Sequence, residues 1–481
     1  MSDDLVAIVL AAGKGTRMLS DLSKVLHPIA GRPLVHFPVR AALEAGAERV
    51  VVVVSSENRD AIQGYLERAF GRERVSFAVQ TPARGTGDAA RVGLGLVQHA
   101  ERVMILCGDT PLLRASDLRA LIHALDEHPG APISFMTCVL AEPGSYGRVL
   151  RDAAGAVREI REFKDLRTDA ERAVREINAG VYVARASFLR DALADLSDDN
   201  AQGELYLTDV LGVAAERGGG LGIVGDQAAM LGVNDRAQLA EAERLLFARI
   251  AADHGRSGVN VRGNPRIDDG VEIAVDATIE DGVCLRGRTR VGSGASIDVG
   301  CVVTDSSIGE HAMLKPYTLV ISSSVGEWAE VGPFAHLRPE SQIDEKARVG
   351  NFVEVKKTRL RKGAKANHLA YLGDGDVGEG ANIGAGTIFC NYDGFKKHRT
   401  IIGAGAFIGS DSQLVAPVTI GVGAYVATGT TVTKDVPDDA LAIARLKQDN
   451  KLGYAGRLKS RLQAAARRDS DKLRVEGKKS G

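Results

Sequence analysis

Large aromatic side chains are scarce in this sequence of 481 residues, since Phe, Tyr and Trp together make up 5% of it. Proline is also sparse, at 14 residues, and the 55 glycines follow no triplet period. Collagen-like structures and proline-rich spacers are therefore excluded. A hydrophobic content of 44% is ample for buried cores, which excludes disorder as the general state. The composition calls for a fold that uses many glycines and few rings.

Strong net charge, long apolar runs and paired cysteines are missing as well. A net charge of −1 gives no overall attraction to nucleic acid or membranes. No apolar run approaches the ~18 residues of a membrane span, and the acidic first residues do not resemble a signal peptide. The five cysteines are odd in number and have no C-x-x-C spacing, which predicts reduced thiols in a cytoplasmic protein. They are Cys107, Cys138, Cys284, Cys301 and Cys390.

Residues 1–234 alternate short β-branched runs with helix-length segments. This alternation predicts βαβ units and an α/β fold with a mostly parallel, Rossmann-like sheet covered by helices on both faces. Ligands then bind at the carboxyl ends of the strands. The predicted strands are Val6–Leu10, Val50–Val54, Phe77–Gln80, Val103–Cys107 and Ile133–Cys138. The clearest predicted helices are Asp60–Phe70 and Asp88–Glu101.

After a predicted linker helix at 235–257, the aliphatic residues of 258–446 recur every six positions. One row begins at Ile273 and continues through Ile279, Leu285, Val291 and Ile297. A fixed hexad is the signature of a solenoid, and this one resembles the hexapeptide transferases, which form a left-handed parallel β-helix of three hexads per coil. Each aliphatic would point into a narrow core that excludes large rings, with glycine and small residues at the tight corners.

The hexad is interrupted in a few places, and the largest interruption predicts a loop. Phe389 occupies the slot after Ile383, but the row resumes only at Ile402, so about seven residues bulge out. The bulge holds Asn391–Gly394 and the basic run 396–399, and a loop thrown from a solenoid commonly belongs to the binding face. Shorter slips of five residues precede Ile308 and Val325.

The first strand leads into a glycine-rich turn at residues 11–18. Gly13 and Gly15 allow backbone N–H groups to approach a phosphate chain, while Arg17 and then Lys24 add positive charge. The turn is not a dinucleotide fingerprint, because Met18 stands at the third glycine position, and no P-loop G-K-[ST] follows.

The string Leu10–Met18 resembles the nucleotidyltransferase signature of sugar-phosphate pyrophosphorylases. Further segments of that pattern follow at Gln80, Gly85–Gly87, Cys107–Asp109, Tyr146–Arg148, Glu162–Asp165, Glu176–Gly180, Asn200–Asp209 and Gly232–Asn234. Together with the hexads they resemble the family of bacterial bifunctional N-acetylglucosamine-1-phosphate uridylyltransferases and glucosamine-1-phosphate acetyltransferases. The resemblance covers residues 5 to about 446.

The resemblance implies two reactions that lead to UDP-N-acetylglucosamine, a precursor of the bacterial cell envelope. Acetyl-CoA first acetylates glucosamine-1-phosphate, and UTP then transfers UMP to N-acetylglucosamine-1-phosphate with release of pyrophosphate. It implies that Asp109 and Asn234 bind Mg²⁺, although both positions also suit helix caps. Arg17 and Lys24 would act catalytically. The nucleotide and the sugar would contact Leu10, Ala11, Ala12, Gly13, Lys24, Gln80, Gly85, Thr86, Cys107, Gly108, Asp109, Gly147, Glu162, Asn178 and Asn234.

Polar residues also interrupt the hexads in clusters. A histidine that titrates near neutral pH suits the deprotonation of an amine attacking a thioester, and His368 lies in such a cluster. Arginine and lysine suit a sugar phosphate. Arg338 and Lys356 are 18 residues apart, so we expect them on one edge, one rung (~5 Å) from each other.

By the same resemblance, His368 is the proton acceptor in acetyl transfer, and hexapeptide transferases close as homotrimers. The glucosamine-1-phosphate ligands would be Arg338, Lys356, Tyr371 and Asn382. The acetyl-CoA ligands would be Ala385, Asn391, Tyr392, Ser410, Thr428 and Arg445. Two positions depart from the family pattern. Ser23 precedes Lys24 where relatives commonly have Pro, and Thr428 stands where relatives often have Ala. Ser23 could leave the turn that aims Lys24 looser.

Two other functions are open at this point. A single-activity pyrophosphorylase could use the β-helix only to oligomerise, but it would not require the polar cluster around His368. A β-helix assembly subunit could carry a dead nucleotidyl site, but it would not require Arg17, Lys24, Asp109 and Asn234 together. The tail at 447–481 carries 11 Lys and Arg against 4 Asp and Glu, which indicates a solvated basic end or a weak contact with an anion. Within it, 458–473 is a predicted helix.

Overall fold

The computed structural model describes residues 4–230 and 232–476, and it divides into two compact units that meet between Lys346 and Ala347. The first unit contains a nine-stranded sheet, a small hairpin of Pro28–Ile29 with Arg32–Pro33, and coils of short strands. The sheet strands are β1 (Leu5–Leu10), β2 (Arg49–Val54), β3 (Val75–Val79), β4 (Arg102–Cys107), β5 (Ile133–Val139), β6 (Arg148–Arg151), β7 (Val157–Arg161), β8 (Glu176–Arg185) and β9 (Gly220–Val224).

The sheet combines a parallel half with an antiparallel insertion, and its strand order is β3-β2-β1-β4-β8-β5-β9-β7-β6. Strands β3, β2, β1 and β4 are parallel, as predicted, whereas β8 runs antiparallel to both β4 and β5. The valines of β2 are buried, as expected for a central strand covered on both faces. The carboxyl ends of β1, β2, β3 and β4 therefore meet at one edge.

Ten α-helices lie in the described part of the chain. They are α1 (His36–Glu44), α2 (Arg59–Phe70), α3 (Thr86–Leu94), α4 (Ala115–Glu127), α5 (Asp169–Arg172), α6 (Ala186–Ala194), α7 (Val210–Glu216), α8 (Gln227–Met230), α9 (Arg236–Arg256) and α10 (Tyr454–Glu476). Short 3₁₀ turns occupy Thr16–Met18, Lys24–Leu26, Phe163–Asp165 and Leu207–Asp209. The prediction of a helix over 88–101 was wrong at both ends. Its C-terminal half contains Gly93 and Gly95, which are poor helix formers, and α3 stops before the second of them.

Two hydrophobic cores cover the two faces of the sheet. Ala7 and Val9 of β1 belong to the core with helices α1, α2 and α4, whereas Val6 and Ile8 belong to the core with α3, α6 and α7. The alternation follows from the two-residue period of a strand. These cores fix the strand ends that carry the first candidate site.

From Asn260 onward the first unit is built of coils. Each strand pairs in parallel with the strand one coil later, and Ile279 and Ile297, for example, are paired and fully buried. The slips predicted before Ile308 and Val325 give coils of 17 residues, since Ser307 pairs with Ser324. The strands are Asn260–Val261, Arg266–Ile267, Glu272–Ile273, Thr278–Ile279, Cys284–Arg286, Arg290–Val291, Ser296–Ile297, Val302–Thr304, Ser307–Ile308, Met313–Leu314, Leu319–Ile321, Ser324–Val325, Glu330–Val331, His336–Leu337 and Gln342–Ile343.

Large rings in these coils stand outside the core, at the corners. Tyr317 stacks on Phe334 with ring centroids 5.4 Å apart, and His311 stacks on Trp328 at 4.3 Å. All four residues have positive φ, so the corners are not reserved for glycine as predicted. At these corners, exposed rings that stack on one another are carried by residues whose positive φ is strained for any residue except glycine.

The second unit continues the pattern with its own coils, so the C-terminal region is a left-handed parallel β-helix. The predicted bulge after Cys390 is confirmed, because Gly375 pairs with Thr400, seven residues later than an 18-residue coil would place its partner. The strands are Arg348–Asn351, Glu354–Lys356, Arg359–Leu360, Lys365–His368, Tyr371–Gly373, Gly375–Val377, Asn382–Ile383, Ile388–Cys390, Thr400–Ile402, Phe407–Ile408, Gln413–Val415, Val418–Ile420, Tyr425–Val426, Thr431–Val432 and Leu441–Ala442.

One ring does enter the core, which contradicts the expectation that none would fit. Phe389 is fully buried, and a Cβ added at Gly375 would lie 2.6 Å from its ring. The missing side chain of Gly375 thus makes the space that the ring fills. The tail forms helix α10, longer than predicted, and residues 477–481 lie outside the described part. None of the described helices is both long and apolar enough to cross a bilayer.

Candidate active sites

A cavity of about 700 Å³ opens at the edge where the parallel strands of the first unit end. Ten of the residues assigned to nucleotide binding line it, namely Leu10, Ala11, Ala12, Gly13, Lys24, Gln80, Gly85, Thr86, Cys107 and Asp109. Lys24 comes from the 3₁₀ turn Lys24–Leu26, and the others come from the ends of β1 and β4, the β3–α3 connection and the start of α3. The cavity therefore lies where parallel sheets bind their ligands.

The glycine-rich turn leaves room for two different groups. No atom lies within 4 Å of a Cβ added at Gly13, so that side of the turn is open to the cavity. A Cβ at Gly15 would collide with the Cβ of Lys24, and Gly15 has φ +63°. Only glycine suits that position, because the lysine stem packs directly against the turn.

Lys24 brings together residues from three distant segments. Its Nζ is ion-paired with Asp109 Oδ2 and donates a hydrogen bond to Asn234 Oδ1 at 3.2 Å. Arg17 Nη2 donates to the same Asn234 oxygen at 3.0 Å. The side chains of Lys24 and Asp109 are 14% and 16% exposed, so the ion pair is largely shielded from water. Lys24 and Arg17 thus meet the Asp109 carboxylate and the Asn234 amide oxygen beside the cavity, which Lys24 and Asp109 line.

The helix-cap alternative for Asp109 and Asn234 was wrong. Helix α4 begins only at Ala115, and the side chain that caps α9 is Asp235, whose Oδ1 accepts from the Gln238 N–H at 2.8 Å. Asp109 is instead held by its backbone, since its carbonyl accepts from the Val233 N–H at 2.9 Å. This bond brings the 232–234 segment to the end of β4.

The donor set around Lys24 fits a hard divalent cation. A carboxylate oxygen of Asp109 and an amide oxygen of Asn234 are both within bonding distance of one ammonium nitrogen, and such oxygens are the ligands that Mg²⁺ prefers. Mg²⁺ usually takes only one or two protein ligands and fills its shell with water and phosphate oxygens. Among the described residues, no group of three His, Cys, Asp or Glu side chains could hold a metal, so the site would depend on such additional ligands.

The three residues assigned to the sugar form a neighbouring group that does not line the cavity. A Cβ at Gly147 would lie 3.3 Å from the Glu162 carboxylate, and the Gly147 carbonyl accepts from the Asn178 N–H at 3.0 Å. Burial raises the pKa of Glu162, although Thr208 Oγ1 donates to its carboxylate at 3.1 Å.

Gly108, also assigned to the nucleotide, is buried and donates its N–H to the Leu10 carbonyl at 2.9 Å.

Cys107 is held as a neutral thiol between the two groups. Burial, with a smaller contribution from the Asp109 carboxylate, raises the pKa of Cys107 to about 12. Its Sγ faces the Gly180 carbonyl at 3.6 Å. A thiol with such a pKa is a poor nucleophile, which fits a binding residue rather than covalent chemistry.

Sequence reasoning missed part of the cavity wall. Ser55–Glu57 directly follow β2, and their position at the carboxyl end of a strand next to β1 was the signal that could have identified them. The other missed wall residues are Lys14, Val25, Thr81, Pro82, Ala83, Ala89 and Glu204.

Asn58, which is 7% exposed, ties these segments together. Its Nδ2 donates to the Ala11 carbonyl at 2.9 Å and to Ser23 Oγ at 3.2 Å. The residue before Lys24 is therefore anchored by a hydrogen bond, so the looser turn that the departure at Ser23 suggested is not observed.

The second candidate site contains His368, which lies at the surface on the Lys365–His368 strand. Its Nδ1 lies 3.1 Å from Asn351 Oδ1, one coil of 17 residues earlier. With the amide oxygen as acceptor, Nδ1 carries the proton and Nε2 is left to accept one. Asn351 was not among the predicted residues, because a regular coil of 18 residues would have placed a different residue there.

Tyr371 and Asn391 meet above Gly373. A Cβ at Gly373 would lie 2.5 Å from Tyr371 Oη and 2.6 Å from Asn391 Nδ2. Asn391 also donates to Asp374 Oδ2 at 2.5 Å. The bulge itself is braced by Asp393, whose pKa is lowered by backbone N–H donors and by His398. Tyr392 in this bulge is exposed, and its hydroxyl donates to the Gly394 carbonyl at 2.6 Å.

Four residues assigned to acetyl-CoA follow one another along the coils. The Asp411 N–H donates to the Ala385 carbonyl at 2.7 Å, and the Gly429 N–H donates to the Ser410 carbonyl at 2.9 Å. Arg445 Nη1 then donates to the Thr428 carbonyl at 2.8 Å. Ala385, Ser410 and Thr428 thus occupy corresponding corners of successive coils, and Arg445 lies one residue beyond the next such position.

The other residues assigned to glucosamine-1-phosphate, Arg338, Lys356 and Asn382, have no described side-chain contact with His368. Arg338 belongs to the first unit, where it is half-buried and its carbonyl accepts from Ser323 Oγ at 2.9 Å. Lys356 pairs with Gly373 at the end of its strand, and Asn382 pairs with Lys365. Within the second unit, the side-chain contacts described above join His368 to Asn351 and Asn391 to Asp374.

The sequence is similar to known proteins over almost its whole length. The family of MobA-like NTP transferase domains matches residues 7–197. The "Bifunctional protein GlmU" of Sorangium cellulosum is 60% identical over 468 residues, which is 96% of this chain and 98% of that protein. Proteins of the same name from Anaeromyxobacter sp. and Pelobacter propionicus are 51% and 46% identical over 95% of this chain, and 94% and 100% of their own lengths are covered.

Proposed function

Because the chain belongs to the family of bifunctional GlmU proteins, it is a bifunctional acetyltransferase and uridylyltransferase of UDP-N-acetylglucosamine synthesis, and we propose how its residues divide the two reactions. Residues 1–234 would carry uridylyl transfer, 235–257 would be a linker helix, and 258–446 would carry acetyl transfer. The basic tail at 447–481 would follow as a separate segment. The observation that carries the proposal is that two unlike clusters, one around Lys24 and one around His368, lie in different units.

In uridylyl transfer, the phosphate of N-acetylglucosamine-1-phosphate attacks the α-phosphorus of UTP in line, and pyrophosphate leaves. Both reactants are anions, so positioning and charge neutralisation supply most of the catalysis. Arg17 and Lys24 neutralise the phosphates at the cavity mouth. The open side of the turn at Gly13 offers backbone N–H groups to the same phosphates.

Mg²⁺ would be held by Asp109 and Asn234. When bound, it would neutralise phosphate charge during the transfer. The ion pair of Lys24 with Asp109 and its hydrogen bond to Asn234 hold these two oxygens next to each other. Gly147, Glu162 and Asn178 would bind the N-acetylglucosamine part beside the nucleotide cavity.

In acetyl transfer, the amine of glucosamine-1-phosphate attacks the thioester carbonyl of acetyl-CoA, and CoA leaves as the thiol. His368 would accept the amine proton at Nε2, because Asn351 fixes the tautomer that carries its proton on Nδ1. Arg338 and Lys356 would bind the sugar phosphate, with Tyr371 and Asn382 beside it. Positive charge and polar donors suit that anion.

The corner residues would bind acetyl-CoA. Asn391 and Tyr392 from the bulge would complete the site, together with Ala385, Ser410, Thr428 and Arg445. The proposal is supported by the succession of these corners along one line of coils. We also propose a homotrimer formed through the β-helix, which carries exposed rings such as Tyr317 and Trp328 at its corners. The cytoplasmic location stays a prediction.

The test is to incubate the full chain with glucosamine-1-phosphate, acetyl-CoA, UTP and Mg²⁺ while following free thiol and pyrophosphate separately. We expect thiol release first and pyrophosphate release that depends on acetyl-CoA. Pyrophosphate release from glucosamine-1-phosphate without acetyl-CoA would contradict the proposed order. If the chain releases pyrophosphate from N-acetylglucosamine-1-phosphate but releases no thiol in any assay, it would be a single-activity pyrophosphorylase.

A further inference from the structure

A second cavity of the first unit, of about 420 Å³, shares no residue with the nucleotide cavity. Three segments build its walls: helix α1, residues 113–115 at the start of α4, and the C-terminal half of α9. Four arginines line it, Arg40, Arg114, Arg249 and Arg256, against two carboxylates, Glu44 and Asp253. Its size is that of a small-molecule site.

Two of the four guanidinium groups are already neutralised. Arg40 Nη1 lies 2.7 Å from both carboxylate oxygens of Asp269, and Arg256 Nη1 lies 2.5 Å from Asp253 Oδ1. Arg114 and Arg249 differ, because no carboxylate of the described chain lies within 4 Å of either guanidinium. These two guanidinium groups therefore have no direct ion pair, although Asp253 and Asp269 act favourably on Arg249 from a greater distance.

Arg249 is the less solvated of these two arginines. It is half-buried, and Nη1 donates to the Leu112 carbonyl at 2.8 Å. Burial, followed by repulsion from Arg114 and Arg40, lowers the pKa of Arg249. A bound anion would relieve this repulsion, and guanidinium groups offer paired N–H donors that match phosphate oxygens.

We propose that this cavity binds a compact phosphate-bearing anion, either inorganic phosphate or a small phosphorylated metabolite, between Arg114 and Arg249. Apolar side chains of Phe37 and Leu113 line the same space and would face the remainder of a larger ligand. The site is separate from the substrate phosphates, whose ligands lie around Lys24.

An occupied site would also act on the first reaction, a consequence that rests on the proposed function. Arg249 holds the carbonyl of Leu112, which stands three positions after Asp109. An anion that draws the Arg249 guanidinium toward itself competes with that carbonyl. We therefore expect phosphate in the cavity to change the KM for UTP or Mg²⁺ in uridylyl transfer, without effect on acetyl transfer.

The experiment measures inorganic phosphate binding to the full chain by calorimetry in the absence of Mg²⁺. The test variants are Arg114→Gln, which changes an exposed side chain, and the double variant Arg114→Gln/Arg249→Gln. The matched control is Arg244→Gln, on the same helix α9 but outside the cavity, where the guanidinium pairs with Glu241 at 2.7 Å. A second control, Arg17→Gln/Lys24→Gln, removes the cations of the nucleotide site.

We expect the dissociation constant of one class of phosphate site to rise at least about tenfold in the double variant and by a smaller factor in Arg114→Gln. That class should persist unchanged in Arg244→Gln and in Arg17→Gln/Lys24→Gln. Phosphate binding by Arg114→Gln and the double variant equal to that of the unaltered chain would overturn the proposal. If the double variant does not fold, the result with Arg114→Gln decides alone.

A parallel titration with glycerol phosphate distinguishes the two ligand sources. Tighter binding than inorganic phosphate would assign the site to a phosphorylated metabolite, and weaker binding would assign it to the free ion. Loss of phosphate binding in the variants, together with uridylyl transfer kinetics of the unaltered chain that phosphate does not change, would support the anion site and reject its effect on the first reaction. Failure of uridylyl transfer in the unaltered chain would instead count against the proposed function.

Discussion

The clusters around Lys24 and His368 are assembled over very different distances in the sequence. Lys24 contacts Asp109 and Asn234, which are 85 and 210 residues away, whereas His368 contacts Asn351, which is 17 residues away. In the α/β sheet, strand ends from remote segments converge at one edge. In the β-helix, each strand position lies beside the position one coil later, as Asn351 lies beside His368.

This difference predicts that mutations can separate the two activities. The cluster around Lys24 depends on the sheet, the 232–234 segment and the glycine-rich turn. The cluster around His368 depends on local coils whose aliphatic cores are independent of those contacts. A change at either cluster should therefore leave the other reaction nearly intact.

One carboxylate from each unit, Asp209 and Asp376, shows how differently the surroundings can shift a pKa. Burial raises the pKa of Asp209 in the first unit to about 6, with added repulsion from Asp165 and Glu159. In the second unit, the hydrogen bonds from Arg361 lower the pKa of Asp376. Acid should therefore relieve an unfavourable charge at Asp209, while it should remove a favourable one at Asp376.

The largest expected effect comes from His368→Ala. Loss of the proposed proton acceptor should lower acetyl transfer by a factor on the order of 10³, while uridylyl transfer from N-acetylglucosamine-1-phosphate stays nearly unchanged. Thiol and pyrophosphate release measure the two reactions separately. The matched control is His311→Ala, an exposed β-helix histidine that stacks on Trp328. Equal loss of both activities in a folded His368→Ala variant would contradict the separation.

Asp109→Ala should give the reverse pattern. Without the carboxylate, the proposed metal ligand set would be incomplete and Lys24 would lose its ion pair, so uridylyl transfer should fall by at least about 10². Acetyl transfer should stay unchanged. Asp191→Ala, which alters an exposed carboxylate on α6, serves as the control. Normal Mg²⁺-dependent pyrophosphate release by Asp109→Ala would remove Asp109 from the metal site.

Asn351→Ala should have an intermediate effect. His368 would lose the acceptor that fixes its tautomer, so kcat for acetyl transfer should fall about tenfold, while KM for glucosamine-1-phosphate stays the same. Steady-state kinetics with a thiol readout measure both constants. A rise in KM at constant kcat would mean that Asn351 binds the substrate rather than positions the base.

The smallest expected effect is on stability. The raised pKa of Asp209 means that its ionised form destabilises the fold, and this cost appears as the pH rises from the unfolded-state value (~4) through about 6. Asp209→Asn should therefore raise Tm by roughly 2 °C at pH 7.5 and by less at pH 5. Thermal unfolding at both pH values tests this, and a larger gain at pH 5 would contradict the assigned sign.

The two regions were also unequally predictable from sequence. Hexad spacing predicted the coils and the bulge after Cys390, because a narrow solenoid core repeats the same constraint in every coil. The spacing also put Phe389 in a core slot, but how a ring fits there could not be predicted, since it depends on the absent side chain of Gly375. Asn351 was missed because a one-residue shortening of the coil hid its alignment with His368.

In the α/β region, strand order and the antiparallel β8 could not be predicted from spacing, since they depend on pairings between remote segments. The glycine-rich turn indicated a phosphate site, but the roles of Asp109 and Asn234 came only from resemblance to a family. No local sequence pattern predicted the role of Asn58, whose side chain donates hydrogen bonds to the Ala11 carbonyl and to Ser23 Oγ. Such contacts become visible only when the strand ends are brought together.

The most direct test of two separate sites is a mixing experiment with purified His368→Ala and Asp109→Ala. Each variant alone, given glucosamine-1-phosphate, acetyl-CoA, UTP and Mg²⁺, should make almost no UDP-N-acetylglucosamine. The mixture should make it at a substantial fraction of the unaltered rate, because one variant supplies the acetylated sugar phosphate that the other consumes. A mixture as inactive as its parts, although each folded variant keeps its remaining half-reaction, would contradict the account.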